Sequence, residues 1–72
     1  MELVVYGVGV APEGFRVVRS VEELRAYVGR AFLVVVGDER LAEELGAAHF
    51  TREEWEDFLK LYAGRRLLRF IR

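Results

Sequence analysis

His49 is the one histidine in this sequence, the residue type most used for general acid–base work, and it lies close to Thr51 and downstream of Asp38. A histidine acting as a general base needs a partner to orient its ring, and Asp38 is the acid best placed by location to do this. Gly37 and Asp38 directly follow an apolar run at residues 32–36, and open α/β sheets collect ligands at the C-terminal ends of their strands. Gly37, Asp38, His49 and Thr51 therefore make up the candidate ligand-binding set, for a small molecule or a metal ion. Structure competes for the same residues. Asp38 stands immediately before a short amphipathic segment, where an aspartate serves as a helix N-cap, and Glu39 then suits the first turn. No His-x-x-x-His pair, serine nucleophile motif or carboxylate cluster accompanies His49. No catalytic residue, metal ligand or cofactor is assigned from these patterns.

Two other groups carry possible chemistry. Tyr6-Gly7-Val8-Gly9 has the glycine pair of a phosphate-binding turn, but Pro12-Glu13-Gly14 and a strand-like segment follow instead of the helix such a turn requires. The chain is also too short for both halves of a dinucleotide-binding fold. Lys60, Arg65, Arg66, Arg69 and Arg72 form a basic C-terminal patch, with Tyr62 and Phe70 as stacking faces for single-stranded nucleic acid. Arginines beyond a helix end also complement its dipole, and on an edge strand they discourage aggregation. Trp55, Phe58 and Tyr62 recur at helical spacing and are expected to be core.

Composition limits the alternatives. A chain of 72 residues has room for one domain, residues 1–72, and buries only about 60% of the surface its unfolded form exposes. Cysteine is absent, which removes disulfides, thiolate catalysis and zinc-finger ligation. Asn and Gln are absent too, Met1 is the sole methionine and Lys60 the sole lysine, a profile that points to a thermophilic source. A net charge of −1 provides no global field for nucleic acid or an anionic membrane. No apolar stretch approaches the roughly 20 residues of a membrane span and no leader pattern is visible, so a cytoplasmic location is expected.

The elements that must position these residues are marked by their ends. Residues 3–10 read as a strand covered on both faces, broken by the turn Pro12-Glu13-Gly14, and residues 15–19 as a shorter strand near an edge. Ser20-Val21-Glu22-Glu23 is a capping box opening a helix with Val21, Leu24 and Val28 on its inner face and Gly29 at its end. Residues 32–36 are the central strand. Asp38 opens a short helix with Leu41, Ala42 and Leu45 inward, and Gly46 closes it. Residues 47–50 suit a brief strand. Thr51-Arg52-Glu53-Glu54 is a second capping box, with Phe50 and Trp55 spaced as a hydrophobic staple. Glu56 and Lys60 are an i, i+4 pair, Gly64 is read as the helix stop, and residues 66–71 as a final strand, with a continuing helix as the alternative.

These readings define an α/β domain with one small single-layer, mixed, mostly parallel sheet of four or five short strands and three helices. The leading functional expectation is a non-enzymatic module that forms a homodimer and interacts with other proteins, since structure accounts for each strongly patterned residue. Nucleic-acid binding through the C-terminal arginines is the second reading, and a small-molecule or metal site near Gly37, Asp38 and His49 the third. No membrane association is expected.

Overall fold

The computed structural model describes the backbone of residues 2–71 and the side chains of residues 2–62. Seven elements follow one another: β1 (Glu2–Tyr6), β2 (Phe15–Val18), α1 (Val21–Ala26), β3 (Ala31–Val36), α2 (Glu39–Leu45), β4 (Ala48–Phe50) and α3 (Arg52–Ile71). The strands form one sheet in the order β2-β1-β3-β4, and every pairing is parallel. Leu3 of β1 lies between Phe15 and Phe32, and Val35 of β3 lies opposite His49. The α/β class, the single sheet layer and the three helices agree with the sequence reading, and the sheet contains no antiparallel member among the described residues.

Side chains alternate across the sheet, so each strand feeds two cores. On one face Val4, Val18, Leu33 and Val35 pack with Leu24 of α1 and Leu41 and Ala42 of α2. On the other, Val5, Val34 and Val36 pack with Trp55 of α3, flanked by Val8, Ala11 and Phe58. Val4, Val5, Leu24 and Val35 are fully buried, each contributing about 1.5–3 kcal/mol of hydrophobic stabilisation. The β1–β2 connection, residues 7–14, crosses the α3 face toward one edge of the sheet. The connections carrying α1 and α2 cross the opposite face in the opposite direction. All three crossovers therefore share one hand, as parallel connections do.

The helix starts follow their sequence signals. Ser20 Oγ accepts from the Glu23 amide at 3.1 Å, and Asp38 Oδ1 accepts from the Leu41 amide at 3.0 Å. The second box closes in both directions: Thr51 Oγ1 accepts from the Glu54 amide at 3.0 Å, and Glu54 Oε1 accepts from the Thr51 amide at 2.8 Å. The staple forms as a perpendicular Phe50–Trp55 ring pair 5.7 Å apart, and β4 occupies the expected brief strand.

The helix ends differ from expectation in two places. Helix α1 stops at Ala26 with Tyr27 as its C-cap, so Val28 lies outside it and is 47% exposed, while Tyr27 packs on the core. A run of turns ending at Arg30, with Gly29 at φ 79°, brings the chain back to β3. The final strand at residues 66–71 does not form, because α3 continues through Gly64 to Ile71. One glycine costs a helix only about 1 kcal/mol, no proline follows it, and Arg65, Arg66, Leu67 and Leu68 are strong helix formers.

Among the glycines whose surroundings are described, Gly7 is the one at which a Cβ would collide with backbone. Its φ is +101°, and a Cβ placed on it would meet the Val36 carbonyl oxygen at 2.4 Å, whereas Gly9 has no atom within 4 Å of the same position. Gly7→Ala is expected to destabilise the fold by about 2–4 kcal/mol, from left-handed strain plus displacement of β3. Gly9→Ala should stay within about 0.5 kcal/mol. Urea unfolding of the two variants checks the contrast, and equal losses would contradict it.

Candidate functional site

The sheet is uncovered where its strands end. The chain leaves β1 across one face and β3 across the other, so the gap between their C-terminal ends is the topological switch point at which open α/β sheets bind ligands. A cleft of about 580 Å³ lies there, within the range of small-molecule sites. Tyr6, Gly7, Val18 and Val36 contribute from the strand ends, and Val8, Gly9 and Val10 from the crossover segment. Arg52, Trp55, Glu56 and Leu59 line it from the first turns of α3, and Arg19 from the residue after β2.

Each wall has a local cause. The indole N–H of Trp55 donates to the Val10 carbonyl at 3.4 Å, tying the crossover to α3. Trp55 is 3% exposed and meets Phe15, on one edge strand, and Phe50, on the other, edge to face at 5.7 Å each. Perpendicular ring pairs of this kind contribute about 0.5–1.5 kcal/mol beyond their burial. Gly7, pressed against Val36, adds no side chain to the cleft. The lining is thus largely apolar below, with three charged groups, Arg19, Arg52 and Glu56, all on exposed residues.

Neither arginine has a carboxylate partner among the described residues. Arg16, by contrast, donates to Glu2 across β2 and β1, and that hydrogen bond and charge raise its pKa above the ordinary value. Arg25 pairs with Glu44 at 3.3 Å, linking α1 to α2. Arg52 and Glu56 are separated by one helical turn, yet form no ion pair, and the expected Glu56–Lys60 pair is likewise not made.

Gly37, Asp38, His49 and Thr51, named from sequence, are not among the residues that line the cleft. Asp38 caps α2 and Thr51 caps α3. The Gly37 amide donates to the Phe50 carbonyl at 2.9 Å, extending the β3–β4 ladder, and Arg52 lies along Gly37. His49 is half-buried on β4, on the face opposite Ala48 and Phe50, and no hydrogen bond joins it to Asp38. No group of three metal-ligating side chains occurs among the described residues. Lys60 is exposed on α3. Arg65, Arg66 and Arg69 lie on later turns of that helix, and their side chains are outside the described ones, as is Arg72 altogether.

Tyr6-Gly7-Val8-Gly9 does border the cleft, without the helix that a phosphate-binding turn would supply. Arg19 and Arg52 were not singled out by the sequence patterns. Arg52 nonetheless leaves a signal, since it is a cation at the first position of a helix whose dipole favours acids there. Arg19 is the residue just past a parallel strand, the location where ligands gather.

No protein-family model, curated protein or solved structure matches the chain. Among the described residues, no helix is long and apolar enough to cross a membrane.

Proposed function

We propose that this domain binds a small, partly apolar molecule in the cleft at the C-terminal ends of β1, β2 and β3. The observation that carries this reading is the coincidence of the cleft with the switch point of a wholly parallel sheet. An apolar base formed by Val18, Val36, Trp55 and Leu59 supplies affinity through burial, and the charged rim supplies orientation. This differs in residues from a site built on Asp38, His49 and Thr51, although both lie at the same end of the sheet. The reading is one of binding, since the cleft contains neither a nucleophile paired with a base nor a histidine.

A neutral aromatic probe tests it. Titration of 2-naphthamide into the protein should shift the NMR signals of the Gly7 and Gly9 amides and the Trp55 indole together. With about 0.3 kcal/mol per non-hydrogen atom, the dissociation constant should be near millimolar. Gly9→Leu, which places bulk in the open space beside Gly9, should abolish those shifts in a folded protein. Shifts scattered over the surface, or unaffected by Gly9→Leu, would contradict the reading.

A second reading, self-association through α3, is supported by an exposed leucine on that helix. Leu61, on this helix, is 67% exposed. We propose a homodimer formed through the α3 surface that carries Leu61. Analytical ultracentrifugation should show a dimer that Leu61→Glu weakens at least about tenfold, given the burial of one leucine. A monomer at millimolar concentration would overturn it.

A further inference from the structure

We infer that the ligand of the cleft carries a carboxylate or phosphate group, held between Arg19 and Arg52, on an apolar body lying against Trp55. This rests on the reading of the cleft as a small-molecule site and specifies its chemical class. Three observations lead to it. Arg19 and Arg52 border the same cleft from different elements, the end of β2 and the start of α3. Both lack an anionic partner among the described residues, although the chain has more acidic than basic residues, 12 against 11. Arg16 and Arg25 make such pairs; among the described residues Arg30, Arg40 and Lys60 do not, and Arg19 and Arg52 differ from these three in bordering the cleft.

The third observation is the location of Arg52. At the first position of a 20-residue helix, its charge opposes the positive end of the dipole, where Glu53 and Glu54 are the favourable residues. An anion bound between the two guanidinium groups offsets the charge of Arg52 at the helix start, relieving the conflict. The planar fork of arginine suits an oxyanion with two oxygens, which a lysine would meet only as a point charge. Glu56, one turn further along the same wall, repels an anion and so marks the limit of the charged half. The uncharged lining includes Val36, Trp55 and Leu59, against which the apolar body of the ligand lies.

The test compares 2-naphthoate and 2-naphthyl phosphate with neutral 2-naphthamide, all titrated by NMR at low ionic strength. Wild type should bind at least one of the anions about tenfold or more tightly than the amide, the scale of one charge-assisted hydrogen bond. Which anion is preferred distinguishes a carboxylate from a phosphate ligand. Arg19→Met and Arg52→Met should each reduce that preference, and the double variant should abolish it, while Glu56→Gln should strengthen anion binding. The preference is read as the ratio of anion to amide affinity in each variant, and the unliganded Trp55 indole and Gly7 amide signals report that the cleft remains folded. Equal binding of anion and amide by wild type, or a preference surviving in the double variant, would overturn the anion assignment and leave the cleft reading standing. Failure of all three probes to bind wild type would overturn both.

Discussion

A parallel sheet must be covered on both faces, and on one face of this sheet that requirement converges on Trp55. Its ring meets Phe15 on one edge strand and Phe50 on the other, and its N–H holds the crossover segment at Val10. Between those edges it covers Val5, Val34 and Val36. The opposite face has two helices for the same purpose. In a chain this short, one aromatic side chain takes the place of a helix that would otherwise lie in the β1–β2 connection.

The cleft follows from that economy. Parallel strands are ordinarily joined through a helix, in a dozen residues or more, and here residues 7–14 make the passage without one. A helix beginning straight after β1 would have filled the space above the strand ends. Instead Gly7 turns against the Val36 carbonyl, the segment runs aside to Val10, and the space between it and α3 stays open. Stability and binding are thus linked at Trp55, which belongs both to the core and to the wall of the cleft.

The features legible in the sequence were those set by neighbouring residues. Ser20, Asp38 and Thr51 cap helices because their oxygens reach amides three residues on, and the Phe50–Trp55 staple depends on the same short spacing. The apolar run at β3 showed its double burial directly. Features set by distant residues were not legible. Gly64 looks like a helix stop when read alone, and only the following helix formers carry α3 through it. Tyr27 replaces Val28 in the core because α1 ends earlier than its apolar spacing suggested. The cleft residues come from β1, β2, β3 and α3, and no local pattern joins Arg19 to Arg52. Asp38, which position along the chain suggested as a partner of His49, uses its side chain for the α2 cap, and no hydrogen bond joins the two among the described residues.

The most direct measurement of this arrangement is a set of nuclear Overhauser contacts from the Trp55 ring in solution. The fold requires contacts from its ring protons to both Phe15 and Phe50, and from its indole N–H to the backbone of Val10 and its neighbours. A Trp55 ring in contact with Phe50 alone, with the indole N–H exchanging freely with water, would mean that the crossover segment is not held against α3 and that the cleft does not exist as described.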